Sequence, residues 1–503
     1  MQPLKQRLLD WPHWGSLVLA LTLILGAVFR LSDLAGRNLW TDEAWVALAA
    51  LQPTPAGALA AGQSTPPFYL LTVWAAAHLF GGSEAVLRSL SCLFGLGTLL
   101  LFWPLARRLT SPAAARLALA TMAFSPVMVY YSKELKQYGG DAFFAVLLFL
   151  LVERLLSHRG RGGWAGLALA GLVGLGFSHT LVFILPAAAL ALWLTLPPVC
   201  RPRLLGLTIF WGLALAFFYF WFFRGQVAPE LVAYWAQDFP NFSGIFPFCR
   251  WLAAAGYRYL YYFLAQSPWA AAAVLLLALG GFWLWRHERR RALLYFAGPL
   301  ILAFAAAAWH RYPFMAHYGG NRLMLFSAPM LYLVVAAGLS PALSWLWRTW
   351  RWPALPAACL GLLALLPLNL VQENLKPLNN REQIKPLVAH LENHLAPQDL
   401  VYVYYFAKDP FRYYYRGPAA GLCWGRSCVE RRLKLPAAAA PSPQRLWLIA
   451  SHIASQEQIG QFAANLLGPR WRQTDRLCRE GAVLFQFERL GPSLAASQHP
   501  ARP

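Results

Sequence analysis

The sequence predicts a mainly α protein: a polytopic membrane helical bundle of about 11 spans, followed by a small C-terminal α/β domain outside the membrane. Three observations predict it. Of the 503 residues, 58% are hydrophobic and 15% aromatic while only 13% are charged, too few charges to cover a soluble protein of this size. Apolar stretches of about 20 residues, enough to cross a ~30 Å hydrocarbon core, recur along the first three quarters of the chain. From Gln372 onward charged residues become frequent and the apolar runs shorten to strand length.

The first apolar run, "WGSLVLALTLILGAVF", lacks a small-residue cleavage site and is followed by many more runs, so it reads as a retained helix. Basic residues cluster at Lys5/Arg7, Arg107/Arg108/Arg116, Arg154/Arg159/Arg161, Arg201/Arg203, Arg286 with Arg289 to Arg291, and Arg348/Arg351. The positive-inside rule places these clusters in the cytoplasm. Between consecutive clusters lies enough apolar sequence for a helix out and a helix back, with outer turns at "YYSKELKQYGGD", "FSHT", the 224–267 segment and "HRYPFMAHYGGNR". The 14-residue stretch "PFYLLTVWAAAHLF" is too short to span and is read as an interfacial or re-entrant helix. The predicted spans run over residues 14–30, 85–105, 113–131, 141–156, 164–178, 181–196, 204–223, 268–285, 292–309, 323–339 and 353–371. The amino end is then inside and the tail outside.

Residues 1–371 form the membrane domain in this reading, with outer loops at 31–84 and 130–141, and residues 372–503 form the α/β domain. In the tail, "REQIKPLVAHLENHL" has helical spacing, "DLVYVYYF" and "RLWLIAS" read as buried strands, and "SQEQIGQFAANLL" then "AVLFQFER" repeat the helix and strand alternation. No GxGxxG fingerprint, P-loop or HExxH helix occurs there. The seven cysteines show no metal-ligand spacing. Cys423 and Cys428 in "CWGRSC" are expected to close a small loop in an oxidising compartment, with Cys478 as the alternative partner. The net charge of +22 resides mostly in short clusters between apolar runs, the pattern of topology signals, which excludes nucleic acid as a partner and points to membrane lipids.

Residues 1–371 contain eleven Asp and Glu residues, and the topology places all but Asp10, Glu153 and Glu288 at the outer side. Asp33, Glu84, Glu230 and Asp238 read as ordinary loop polarity. The pair Asp42 and Glu43 in "RNLWTDEAWVALAAL" is different, because Trp40 and Trp45 flank it. Membrane interfaces favour tryptophan, and a carboxylate at that depth is costly unless it has a task. In "VYYSKELKQYGGD", Glu134 lies among Lys133, Lys136, Tyr131 and Tyr138 at the outer end of a span. Arg37, Arg88, Lys133, Lys136, Arg250, Arg258, Arg311 and Arg322 also emerge on the acidic side. Several suit lipid headgroups, and Arg322 and Lys136 are the best candidates to hold a phosphate carried by a lipid. His179, His310 and His317 lie at outer span ends as hydrogen-bonding residues. The outer face thus offers carboxylates that accept a proton, cations that hold a phosphate and apolar walls for a long chain. A hydroxyl attacking an activated sugar needs such parts.

These residues resemble a known family. "LWTDEAW" after the first span, "PPFYLL" opening a short helix, "EAVLRSLSCLFG" leading to "RRL", "SPVMVYYSKELKQY", and "NRLMLFSAPML" late in the chain look like the bacterial membrane glycosyltransferases of the GT-C fold. These are relatives of the protein O-mannosyltransferases and the lipid A aminoarabinose transferases. The resemblance covers about 370 residues and is strongest in the first 140. It implies transfer of a hexose or pentose, normally with inversion, from a polyprenyl-phosphate donor to a lipid, glycan or protein acceptor on the outer side of the bacterial cytoplasmic membrane. Asp42 matches the loop-one aspartate proposed to deprotonate the acceptor, Glu43 accompanies it, and Glu134 matches the acidic residue of the second outer loop. From the reading of the outer face itself, Lys136, Tyr138, Arg322, Arg88, His179 and His317 make up the candidate substrate-binding set. Lys136 stands where the family commonly has arginine, which removes a bidentate contact. No cofactor is implied with certainty, and a divalent metal is left open. The mannosyl- and arabinosyl-type relatives generally work without one, whereas the related oligosaccharyltransferases use one with their acidic motifs.

A polyprenol-linked sugar flippase or other transporter is the alternative that many spans permit. It should show internal repeats and ionisable residues at the bilayer midplane, and the sequence shows neither. A glycan polymerase or ligase would lean on loop arginines more than on an Asp-Glu pair near the amino end.

Overall fold

The computed structural model describes residues 12–62, 64–225, 233–264, 269–317, 320–349, 374–375, 381–425, 427–429, 443–453 and 455–490. Up to Thr349 the described elements are helical. Among the described residues, four helices are long and apolar enough to cross a membrane: Glu84–Leu109, Pro198–Phe223, Arg290–Ala308 and Gly320–Leu339. Shorter apolar helices cover Gly15–Leu31, Pro67–Phe80, Pro112–Phe124, Leu181–Thr195 and Ala273–Arg286. The predicted spans 141–156 and 164–178 fall within the helices Tyr138–Ser157 and Arg161–Phe177. The predicted span 353–371 lies outside the described residues.

Two expectations change. The stretch 113–131 is not one continuous helix, because it breaks into the helices Pro112–Phe124 and Pro126–Tyr131. Pro126 has no N–H for a continuing helix, and the Ser125 hydroxyl instead accepts the Met128 N–H as a new N-cap. The segment 224–267, read as an outer turn, contains the 19-residue helix Ile245–Phe263. Its buried positions Ala255, Tyr259, Leu260 and Phe263 recur at helical spacing, as one packed face requires.

The chain divides into two compact units. One comprises Met1–Leu34, Gln63–Val73 and Arg88–Pro377; the other comprises Ala35–Gly62, Trp74–Leu87 and Leu378–Pro503. The sequence division at residue 372 follows composition, whereas compactness also groups two short stretches before Arg88 with the tail.

In the first unit, the helices Trp269–Arg286 and Ala328–Thr349 cross at Gly280 and Gly338. A Cβ on Gly280 would lie 2.0 Å from the Val334 carbonyl oxygen, and one on Gly338 would lie 2.2 Å from that of Leu276. Only two glycines let the backbones approach so closely, the small-residue solution of membrane helix pairs. Arg30 is buried, and its guanidinium donates to the carbonyls of Gly26 (2.8 Å), Ala123 (2.9 Å) and Met122 (3.2 Å). Two of those carbonyls end the Pro112–Phe124 helix, so a cation closes its negative pole at the break before Pro126. Buried Glu153 receives a two-pronged contact from Arg291, 2.7 and 3.0 Å, and a hydrogen bond from the Tyr295 hydroxyl at 2.9 Å. The pair links the Tyr138–Ser157 and Arg290–Ala308 helices without leaving a charge bare.

The second unit carries a five-stranded sheet of order β2-β1-β3-β5-β4, with β1 Leu400–Val403, β2 Leu422–Trp424, β3 Arg445–Ser451, β4 Trp471–Arg479 and β5 Ala482–Arg489. β2, β1 and β3 are parallel, and β5 and β4 are antiparallel additions. β1 and β3 are buried on both faces, which is why they read as unbroken apolar runs. The helices Lys385–His394 and Gln456–Leu467 belong to the two apolar clusters of the sheet. The expected helices and buried strands of the tail are present; β2 and β4 are additions to that reading. Cys423 and Cys428 form a disulfide, as "CWGRSC" suggested, and Cys478 is a free thiol.

Candidate active site

In the second unit, the stretch "RNLWTDEAWVALAAL" forms the helix Thr41–Ala50, with Trp40 as an extended N-cap residue and Asp42 and Glu43 in the first turn. Carboxylates there face the positive end of the helix dipole. The two neighbours differ in surroundings. Glu43 is wholly buried, its carboxylate 3.5 Å from the buried guanidinium of Arg37. Asp42 is half-buried. The pair read as one feature in the sequence is thus an internal ion pair beside a carboxylate that keeps access to solvent.

Residues that local sequence patterns do not mark hold this turn. The Thr41 hydroxyl lies 3.2 and 3.1 Å from the two carboxylate oxygens of buried Glu382, and 3.1 Å from the Phe406 carbonyl oxygen. Glu382 also accepts from His452 Nδ1 at 2.7 Å. Trp40 stacks on the His452 ring, with centroids 6.2 Å apart and planes at 16°, and the Arg381 guanidinium lies 4.4 Å from the Trp40 ring centroid. Trp45 Nε1 donates to Asp409, and the Leu39 amide to the Tyr414 hydroxyl at 2.7 Å. Glu84 accepts from Lys385 at 2.7 Å and from Tyr414 at 3.3 Å. Trp40 and Trp45, expected from the sequence as interfacial rings, thus both have partners within the protein. Trp40 is only 4% exposed, and both side chains engage residues of the C-terminal stretch, Trp45 through a hydrogen bond that an interfacial ring would give to water or a headgroup.

His452 is the best-defined titrating group of this cluster. The hydrogen bond to Glu382 raises its pKa above the usual 6.5; burial opposes this, the charges of Glu382 and Asp42 add to it, and Arg381 subtracts.

In the first unit, the acidic loop is far from the solvated turn that ordinary loop polarity would make. Every residue from Tyr131 to Ala142 is buried, including Lys133, Glu134, Lys136, Gln137 and Asp141. So many buried polar groups in one turn imply a structured polar pocket. The Lys136 carbonyl accepts from Ser91, whose hydroxyl is 2.8 Å from that of Tyr69. Lys133 Nζ reaches the Ser32 hydroxyl at 3.3 Å, and Gln137 the Ser64 carbonyl at 3.4 Å. Asp141 accepts from Ser178 at 2.5 Å. Gly139 is the close-approach point: a Cβ there would meet the Ser91 and Tyr131 carbonyl oxygens at 3.3 and 3.4 Å.

Arg322 Nε donates to the Tyr138 hydroxyl at 3.0 Å, with its guanidinium 5.8 Å from the Tyr138 ring centroid, so the structure brings these two sequence-named residues together. Arg88 is fully buried and donates to the Leu34 carbonyl at 2.8 Å. His317 pairs through Nδ1 and its own amide with Asp238. Asp238, read as loop polarity, is buried, because that amide and imidazole supply the partners its charge needs. His179 is half-buried, its ring edge-on to Phe223 with centroids 4.7 Å apart. Among the described residues no group of three or more His, Cys, Asp or Glu side chains is placed to hold a metal ion.

Residues 64–223 match the family model described as dolichyl-phosphate-mannose-protein mannosyltransferase. No curated protein sequence matches the chain. Among solved structures, the chain is similar to ArnT from Cupriavidus metallidurans in the apo state, at 15% identity over 97% of this chain and 99% of that one, with a TM-score of 0.51. Against the same protein bound to undecaprenyl phosphate the identity is 15%, the coverage 95% and 98%, and the TM-score 0.50. Similarity to the apo oligosaccharyltransferase of Archaeoglobus fulgidus spans 94% of this chain and 74% of that one, at 13% identity and a TM-score of 0.51. At such identities the likeness is one of fold, and it agrees with the order of motifs along the chain: this protein has the GT-C fold of polytopic membrane glycosyltransferases.

Proposed function

We propose that the chain is a glycosyltransferase of the bacterial cytoplasmic membrane that moves a sugar from a polyprenyl-phosphate donor to a hydroxyl of a lipid, glycan or protein acceptor on the outer side. The observation that carries the reading is the asymmetry of the acidic pair: Glu43 is buried on Arg37, while Asp42 stays half-exposed on a turn fixed by side-chain contacts at Thr41, Trp40 and Trp45. The family model over 64–223, the shared fold and the undecaprenyl phosphate bound by ArnT support the donor class. A pre-positioned carboxylate acts as a general base without first being ordered.

In the proposed reaction the acceptor hydroxyl gives its proton to Asp42 while its oxygen attacks the anomeric carbon. The bond from that carbon to the phosphate oxygen breaks on the opposite side, inverting the centre and releasing polyprenyl phosphate. Arg322, set on Tyr138, and Lys136 are the cations of the first unit whose chemistry suits a phosphate. Glu43 fixes the turn through Arg37, Arg88 anchors backbone, and Glu134 shapes the polar pocket.

The experiment is consumption of a panel of polyprenyl-phosphate sugars by the purified protein in liposomes, with bacterial envelope extract as the acceptor source. Release of free polyprenyl phosphate from one donor is expected. A full panel left unconsumed, by protein that is folded and correctly inserted, would count against the reading.

A further inference from the structure

The carboxyl ends of β1 and β3 form the topological switch point of the C-terminal sheet. β1 leads to β2 on one side, and β3 leads by way of the Gln456–Leu467 helix to the antiparallel strands on the other. Open α/β sheets offer their crevice at such a point. At this point lie Tyr405 and Phe406, which follow β1, and His452, which follows β3 directly. The turn that bears Asp42 is tied to the same place. Thr41 contacts the Phe406 carbonyl and Glu382, Glu382 holds His452 Nδ1, and the His452 ring stacks on Trp40. The residues immediately before Asp42 are thus both linked to His452, one by hydrogen bonds through a shared carboxylate and one by ring contact.

His452 has a second unusual property. Its φ is 56°, in the left-handed region that favours glycine and is costly for a residue with a Cβ. A glycine would relieve that strain. A strained histidine whose Nδ1 is fixed by a buried glutamate has its tautomer and ring plane set, and its Nε2 edge directed away from Glu382.

We propose that His452, oriented by Glu382, is a positioning residue for Asp42: as an imidazolium it sits beside the Asp42 carboxylate and, through Trp40, holds the turn on which the acceptor hydroxyl is deprotonated. The proposal rests on the transferase reading above. The charged groups around the ring are Glu382 and Asp42, which favour the imidazolium, and Arg381, which disfavours it. Because the hydrogen bond to Glu382 raises the histidine above 6.5, the imidazolium and its contribution are fully present below that pH and are lost as pH rises through the raised value.

Three variants of the full-length protein in liposomes test it. His452→Gly removes strain and charge together but also takes the imidazole from buried Glu382, so its effect is read per folded molecule: turnover should fall on the order of 10²-fold with donor KM unchanged. His452→Gln should lose the alkaline limb of the pH–rate profile, and Glu382→Gln should shift that limb to lower pH. Selective labelling of histidine ring carbons gives a readout that does not depend on transfer. The His452 midpoint should fall in Asp42→Asn and fall further in Glu382→Gln.

A His452→Gly protein with turnover within about twofold of wild type and an unchanged alkaline limb would overturn the proposal. A His452 midpoint indifferent to Asp42→Asn would overturn it as well. Failure of the transferase reading looks different: the wild-type protein would then consume no donor of the panel, while the His452 midpoint would still respond to Asp42→Asn.

Discussion

At the residue scale, adjacent carboxylates of the same chemistry are divided by their surroundings. Glu43 is wholly buried with Arg37, and removing its charge would leave a guanidinium inside the protein. Breaking one partner of a buried pair typically costs about 3–5 kcal/mol. Glu43→Gln should therefore lower the thermal midpoint and the yield of folded protein, as measured by fluorescence-detected size exclusion after heating, while Asp42→Asn leaves both near wild type. Equal midpoints for the two variants would show that the pair is not divided in this way. The sequence marked both acids as unusual but held no sign of which one is buried. That distinction depends on Arg37 turning back onto the helix and on the C-terminal stretch supplying Glu382 and His452, about 340 to 410 residues later in the chain. Such partners leave no local spacing to read. The flanking tryptophans were a sound signal for a second reason as well: Trp40 packs against His452 and Arg381 and so helps to fix the turn.

At the element scale, the elements legible in the sequence are those whose apolar pattern is strong. β1, β3 and β5 were legible because their residues are mostly buried. β4 was not, since its middle residues are exposed and its stretch "WRQTDRLCR" carries three arginines and an aspartate. It is held by antiparallel pairing with β5 across a tight turn at Gly481, where φ is 62°. A Cβ at Gly481 would come within 1.9 Å of the Arg381 carbonyl oxygen, and the Gln383 amide donates to the Glu480 carbonyl at 2.8 Å. This turn therefore seats the irregular stretch that carries Arg381 and Glu382. Gly481→Ala should destabilise the protein by more than about 1 kcal/mol, through left-handed strain and the clash together. It should also reduce transfer further than its loss of folded protein explains, because Glu382 must move. Normal turnover per folded molecule would show that the seat of Glu382 does not matter to the reaction.

At the scale of the whole molecule, the helical bundle with a small α/β sheet was legible because hydropathy, basic clusters and the compositional change near Gln372 agree. Sidedness is a separate expectation, resting on the basic clusters and on the 14-residue length of Pro67–Phe80. Reporter enzymes fused after Gly82 and after Gln372 should both be active outside the cytoplasm, and a cytoplasmic Gly82 fusion would reverse the placement of the acidic residues. The central claim is that Asp42 accepts the proton of the acceptor hydroxyl. Its most direct test is turnover of Asp42→Asn in proteoliposomes at matched protein levels, with donor binding measured separately. Asparagine keeps the volume and most hydrogen bonds of aspartate but cannot take the proton, so turnover should fall by about 10²-fold or more while donor binding is retained. Turnover within a few-fold of wild type would contradict the claim, and equal losses of binding and turnover would move Asp42 from catalysis to recognition.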